Sequence, residues 1–259
     1  MTQPLVLSLF PGIGLLDMAF EEAGFCVVRG PDLLWGGDVR AFHPTADRFD
    51  GIIGGPPCQL FSAFKRLNPR CGEKHGNMIP EFERVVNDAR PHWFVMENVE
   101  AAPEPNTPHF RVRSQLVRDD WVGGETSRLR RFSFGVHNFH TGIAPASFTI
   151  EQRALHGEQS YPAVCSDARI QPVAIGGSGK RKAKPGVPAN RVTSGNGPRL
   201  SIAEMLRRQG APPNLFAESP FTDTAIRKMI GNGVPLPMGR AIANAVKRAM
   251  YPEFAEAAS

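Results

Sequence analysis

Apolar runs alternate with helix-like segments through the first hundred residues, and few architectures accept that pattern. Residues 5–10, 25–28, 51–54 and 93–96 read as strands. Between them, residues 13–23 carry Leu16, Ala19, Phe20 and Ala23 at helical spacing, and residues 79–90 have the spacing of an amphipathic helix. Strand–helix–strand alternation predicts an α/β fold with a mostly parallel sheet flanked by helices on both faces. Ligands of such sheets bind among the loops at the carboxyl ends of the strands. Further on, Ser201 and Glu204 fit a capping box, with Glu204 able to reach back to Ser201. A helix to about Arg208 is expected there, stopped by Gly210 and Pro212-Pro213. A last helix is expected over 237–250, with Ile242, Ala245, Val246 and Ala249 on one face.

Between 136 and 199 the apolar runs shorten, and Gly, Pro, Ser and basic residues accumulate. The stretch 176–184, with Lys180, Arg181, Lys182 and Lys184, reads as a cationic loop. Composition narrows the function classes. Hydrophobic residues are 41% and charged residues 21%, so a sizeable core is feasible and general disorder is excluded. No apolar run reaches the roughly 18 residues of a membrane span. Residues 1–4 lack the basic patch of a signal peptide, so a cytoplasmic location is expected. The four cysteines form no C-x-x-C pair, which argues against a zinc site or a disulfide scaffold and for a reducing compartment. The histidines are scattered, with His137 and His140 the close pair, so no metal site is expected. Lys and Arg exceed Asp and Glu to give a net charge of +5, which suits a polyanionic partner.

Five places carry candidate chemistry. Phe10-Pro11-Gly12-Ile13-Gly14 sits at a strand-to-helix junction, where glycines let a backbone approach a ligand; a plain tight loop explains it equally well. Asp17 breaks the G-x-G-x-x-G pattern, which disfavours a nicotinamide or flavin enzyme. Asp32 follows the second strand at close to the spacing of about 20 residues at which an acid meets a ribose; a surface turn at Pro31-Asp32 explains it equally well. The sharpest feature is Gly54-Gly55-Pro56-Pro57-Cys58-Gln59-Leu60-Phe61-Ser62. Two glycines end a strand, two prolines stiffen the exit, and both prolines restrict the backbone that aims Cys58; a tight turn with an incidental cysteine is the alternative. Glu97 follows the fourth strand and would face the ligand crevice; taken without its partners, an ordinary acidic loop residue is the better reading. Arg128 and Arg130 alternate with Leu129, which puts them on one strand face, able to fix a carbonyl oxygen or a phosphate; a solvated basic edge is the alternative.

Together and in order, these residues resemble the cytosine-C5 DNA methyltransferase family. Residues 9–14 are similar to its first cofactor motif, Gly37-Asp38-Val39 to its adenine-side motif, 55–62 to its catalytic motif, and Glu97-Asn98-Val99 to its E-N-V motif. Arg128 and Arg130 match its paired arginines, 199–212 its penultimate motif, and Ile230-Gly231-Asn232-Gly233-Val234-Pro235 its final one. The resemblance implies a Rossmann-like methyltransferase fold and S-adenosylmethionine as cofactor. It assigns cofactor binding to Phe10, Gly12, Ile13, Gly14, Asp32, Leu33, Asp38, Val39, Pro57, Asn232, Gly233 and Val234, the final motif packing back beside the first. It makes Cys58 the nucleophile toward cytosine C6, gives Glu97 the ring N3 and exocyclic amine, and gives Arg130 the O2, with Arg128 in support. Double-stranded DNA is the implied partner, a flipped-out cytosine the target, and restriction–modification the setting.

Gln59, Ser62, Lys65, Arg66 and Arg70 follow the nucleophile and read either as a loop closing on DNA or as an exposed basic loop. Lys180, Arg181, Lys182 and Lys184 read as phosphate contacts or as solvated charge. The expected organisation is a catalytic and cofactor-binding domain over 1–135, completed by 200–259, with a small irregular target-recognition region over 136–199. A monomer is expected. The chain departs from the family pattern at Leu15, where a second glycine is usual, at Thr126, where a glutamine is usual, and between Asp32 and Asp38, where a helix is nearly absent. Two other functions stay open: a catalytically idle nucleic-acid-binding homologue, and a cytosine-5 methyltransferase acting on RNA.

Overall fold

A computed structural model of the chain describes residues 3–57, 61, 76–152 and 200–253. Its centre is a six-stranded sheet in the order β2-β1-β3-β4-β6-β5. The strands are β1 (Leu5–Leu9), β2 (Cys26–Arg29), β3 (Gly51–Gly54), β4 (Trp93–Asn98), β5 (Phe110–Arg118) and β6 (Leu129–His137). β2, β1, β3 and β4 run parallel, whereas β6 is antiparallel to both β4 and β5. The helices are α1 (Leu15–Glu22), α2 (Ile79–Ala89), α3 (Ile202–Arg208), α4 (Asp223–Asn232) and α5 (Leu236–Met250).

Both faces of the parallel strands are covered, which is why β1, β3 and β4 read as unbroken apolar runs rather than as alternation. Successive side chains leave a strand on opposite faces. Val6, Ile53 and Val95 therefore join Phe20 of α1 and Met238, Ile242 and Val246 of α5. Leu7, Ile52 and Phe94 point the other way and join Phe82, Val85 and Val86 of α2. A third cluster sets Met205, Leu206, Ile226 and Ile230 of α3 and α4 against Leu15. All four residues expected on one face of the last helix are buried.

Two elements were not anticipated from the sequence. β5 carries Phe-Arg-Val-Arg-Ser-Gln-Leu-Val-Arg, a half-buried alternation legible as period two. α4 holds Arg227, Lys228 and Asn232 among its apolar residues, and its start is marked by Thr222, whose side chain accepts from the Ala225 N–H. The expected capping box is half formed. The Ser201 hydroxyl accepts from the Glu204 N–H at 3.0 Å. The Glu204 carboxylate turns instead to Arg207 and Arg208, whose charge-assisted bonds pull it down to about 2.

Two features make the core sensitive. The Trp93 ring lies across Gly51, where a Cβ would stand 2.2 Å from it, and its indole N–H donates to the Tyr251 hydroxyl at 3.0 Å. Gly51→Ala should therefore destabilise the chain by about 1–3 kcal/mol in urea denaturation, the usual range for overpacking. Where β4 begins and β6 ends, His92, His137 and His140 crowd around Phe139. Burial, then His109, His92 and Arg90, push His137 below its ordinary value; burial, then His92, His137 and Arg111, do the same to His140. The folded state thus binds fewer protons than the unfolded chain, whose imidazoles titrate near ~6.5. Stability is fully present above that pH and is lost as the pH falls through it. The melting temperature should drop between about pH 7.5 and 5.5, and replacing both histidines by Asn should flatten that slope.

Candidate active site

The turn between β1 and α1 is wound unusually tightly. Phe10, Gly12 and Gly14 all take left-handed backbone angles, with φ of 55°, 56° and 77°. At Gly14 the angle disfavours any side chain, and a Cβ would lie 2.6 Å from the Arg29 guanidinium, which would have to move aside. That guanidinium is held by Asp17, 3.0 Å from Arg29 Nε, and Asp17 in turn accepts from the Ser8 hydroxyl at 2.5 Å. Asp17 is buried, and the loss of water raises its carboxyl above the usual range.

Asp32 stands over this turn. Its carboxylate accepts from the Gly12 N–H at 2.9 Å and from the Leu34 N–H at 2.7 Å. The interval between Asp32 and Asp38, predicted to lack a full helix, holds one 3-10 turn, Leu33–Trp35, and a second, Val39–Ala41, follows Asp38. Leu33 and Trp35 are exposed and Val39 is buried. Asp38 caps the second turn through the Arg40 N–H, and its carboxylate is held down by the Arg40 guanidinium.

The second half of the site follows from the β4–β6 register. Glu97 pairs with Phe132, so their side chains share a face, and Arg130 lies two residues along that same face. Arg130 Nε meets Glu97 Oε1 at 2.9 Å, with Glu97 only 8% exposed. The other oxygen of Glu97 lies over Gly55, where a Cβ would come within 3.0 Å. Asn98 donates to the Pro56 carbonyl at 3.2 Å and accepts from the Val99 N–H at 2.9 Å. The end of β4 thus grips the Gly55-Pro56-Pro57 segment that leads into Cys58.

Arg128, just ahead of β6, is almost fully buried. Its guanidinium donates to the carbonyls of Gly231 at 2.8 Å and Asn232 at 3.4 Å, at the end of α4. Thr126 shapes the approach to it. Its N–H and hydroxyl donate to Asp119 at 3.0 and 2.7 Å, while burial raises the Asp119 carboxyl. Gln209 is buried and not singled out in the sequence; its side-chain amide donates to the Ile230 carbonyl and its backbone carbonyl accepts from the Leu236 N–H, both at 2.8 Å. Its one visible signal was an amide between an arginine pair and a helix-ending Gly210. These bonds seat the last motif against the first: a Cβ at Gly233 would meet the side chains of Leu15 and Ile13 at 3.3 and 3.4 Å. Val234 is buried and Asn232 exposed.

The structure therefore brings Phe10, Gly12, Ile13 and Gly14 together with Asp32 and Gly233, and Glu97 together with Arg130 and the lead-in to Cys58. Cys58, Gln59, Ser62, Lys65, Arg66, Arg70, Lys180, Arg181, Lys182 and Lys184 lie outside the described residues. Among the described residues, no three His, Cys, Asp or Glu side chains are placed to hold a metal ion, and no helix is long and apolar enough to cross a membrane.

The glycine turn after the first strand and the carboxylate–guanidinium pair at the fourth thus lie at the same end of the sheet. The family model for C-5 cytosine-specific DNA methylases matches residues 36–115 and 130–248. The chain belongs to that family. Among relatives, the Type II methyltransferase M.FnuDI of Fusobacterium nucleatum is 33% identical over 174 residues, 61% of this chain and 50% of the relative. M.NgoFVII of Neisseria gonorrhoeae is 36% identical over 135 residues, 45% of this chain and 35% of the relative. The chain thus spans half or less of the length of these two. Among solved structures, a Spodoptera frugiperda DNMT2 mutant superposes with a TM-score of 0.62 at 13% identity, covering 94% of this chain and 99% of that one. Entamoeba histolytica methyltransferase EhMeth gives 0.61 at 12%, covering 95% and 98%. Such low identity speaks for the fold, which is the Rossmann-like methyltransferase fold.

Arg128→Leu would leave two carbonyls at the end of α4 without their charged donor. It should lower stability by about 2–3 kcal/mol in urea denaturation, the scale of buried hydrogen bonds to a charged group, and Arg128→Lys should recover part of that loss.

Proposed function

We propose that this chain is a DNA (cytosine-5)-methyltransferase that uses S-adenosylmethionine and attacks C6 of a flipped-out cytosine with Cys58. The observation that carries this reading is the Glu97–Arg130 pair, held 2.9 Å apart beside the segment that runs into Cys58. The cofactor fits the other half of the site. Space is open at Gly12, where no atom lies within 4 Å of a Cβ position. Each Asp32 oxygen takes one N–H and keeps a lone pair for a ribose hydroxyl. Phe10, Gly12, Ile13 and Gly14, with Asp32, Leu33, Asp38, Val39, Pro57, Asn232, Gly233 and Val234, would hold it.

When bound, S-adenosylmethionine supplies an electrophilic methyl group. Cytosine C5 is a poor nucleophile, and Cys58 corrects this as a thiolate by adding to C6 and pushing electrons toward C5. Glu97 hydrogen-bonds N3 and the exocyclic amine, and Arg130 holds O2, so the charge that builds in the ring meets groups already in place. Once C5 carries its methyl group, loss of the C5 proton and departure of Cys58 restore the aromatic ring. Arg128 supports this from behind by fixing the strand that bears Arg130.

A stacked cytosine cannot reach Cys58, so the base must leave the duplex at a cost of a few kcal/mol. The net charge of +5 favours phosphate contacts that offset it. Gln59, Ser62, Lys65 and Arg66 beside the nucleophile, and Lys180, Arg181, Lys182 and Lys184 in the 136–199 target-recognition region, would make them. The likeness to bacterial Type II methyltransferases supports a restriction–modification setting and a cytoplasmic location; we propose that the chain acts as a monomer.

Transfer of a labelled methyl group tests the proposal. Duplex DNA should be labelled at cytosine C5 and RNA should not. Cys58→Ala should abolish labelling, and Glu97→Gln should slow it by about 100-fold or more. Labelling of RNA alone would assign the chain to the RNA reaction. Binding of DNA without any transfer would return the idle homologue.

A further inference from the structure

The first glycine turn is gripped by a side chain that the reaction does not use. Trp35 is 58% exposed, yet both ends of its indole are engaged. Its Nε1–H donates to the Gly12 carbonyl at 3.0 Å. Its ring meets the edge of Phe221 at a centroid distance of 5.6 Å and an angle of 63°. Asp32 meanwhile takes the N–H of the same glycine. Both polar groups of Gly12 are thus fixed by the short turn that stands where the family usually keeps a helix. Phe221 precedes Thr222, the cap of α4, and α4 ends in Gly231-Asn232, where the last motif meets the first. Trp35 therefore ties the glycine turn to the element that closes the cofactor site from its other side.

We propose that Trp35 is a positioning residue for the cofactor, acting through the Gly12 carbonyl and braced by Phe221. The proposal rests on the cofactor reading above. Gly12 holds a left-handed angle that an unrestrained loop would leave often, and a loop ordered in advance pays less entropy when a ligand arrives. With the indole N–H gone, the Gly12 carbonyl turns to water, and the cofactor must order the turn itself. Trp35 is also placed to report the event. Of the three tryptophans, Trp93 is fully buried and Trp121 is half-buried against Arg118, so an emission change that Trp35→Phe removes reports water at the turn.

The test is calorimetric titration of the full chain with S-adenosylhomocysteine, alongside melting temperature, tryptophan emission and steady-state kinetics. Trp35→Phe keeps a ring against Phe221 but removes the N–H. It should weaken binding about fivefold, the equivalent of one hydrogen bond, and raise KM for S-adenosylmethionine while kcat holds. Its melting temperature should match that of the unaltered chain, and the emission change on binding should vanish. Trp35→Ala should weaken binding further, and Phe221→Leu should be non-additive with it, because the two act on one turn. Equal affinity of Trp35→Phe, Trp35→Ala and the unaltered chain would overturn the proposal. So would weaker binding accompanied by a lower melting temperature, which would mark a general loss of folding. Failure of the unaltered chain to bind S-adenosylhomocysteine at all would remove the cofactor reading and this inference with it.

Discussion

A guanidinium taken out of water must find acceptors, and Arg128 finds them at the far end of the chain. Its donors reach the Gly231 and Asn232 carbonyls, 103 and 104 residues away. Those carbonyls close α4, where the helix dipole is negative and welcomes a cation. The strand that presents Arg130 is thereby fixed to the segment that presents Gly233, and Gly233 packs on Ile13 and Leu15 beside the first glycine turn. The two halves of the proposed site, one for a base and one for a cofactor, share a single frame through this contact.

Sheet geometry does the rest. The parallel strands deliver Gly12, Asp32, the Pro56-Pro57 exit and Glu97 at one end of the sheet, where each strand passes into a loop. β6 then runs antiparallel to β4 and brings an arginine back along the same edge. An oppositely charged pair half out of water holds its geometry better than one on the surface. A narrow approach is kept open by what is missing: Gly55 has no side chain where the Glu97 carboxylate needs room. The polar groups are pre-aimed, and that is what a reaction with charge developing in a ring requires.

Much of this was legible in the residues. Strands buried on both faces announce themselves as apolar runs, so β1, β3 and β4 were readable without partners. Motif order placed Asp32, Glu97 and Arg130 near loops at strand ends. The contacts behind them were not readable. Nothing local marks Gln209 as the clamp on Ile230 and Leu236, because its partners are distant and its own helix end looks ordinary. The split fate of the capping box depended on Arg207 and Arg208 outcompeting a backbone N–H for Glu204. β5 and α4 were missed because half-polar edge strands and polar helices carry weak patterns, and tertiary packing decides them. Trp35 was passed over since a lone exposed aromatic is ordinary until its hydrogen bond is seen.

The central claim is that one sulfur, on Cys58, forms the bond to the pyrimidine. Duplex DNA in which 5-fluorocytosine replaces the target base would trap that bond, because fluorine cannot leave as the C5 proton does. The account predicts a stable protein–DNA conjugate in the presence of S-adenosylmethionine, with mass spectrometry of the digested conjugate placing the nucleotide on the peptide that contains Cys58. A conjugate on the peptide of Cys26, Cys71 or Cys165, or methyl transfer to ordinary cytosine without any trapped conjugate, would contradict it.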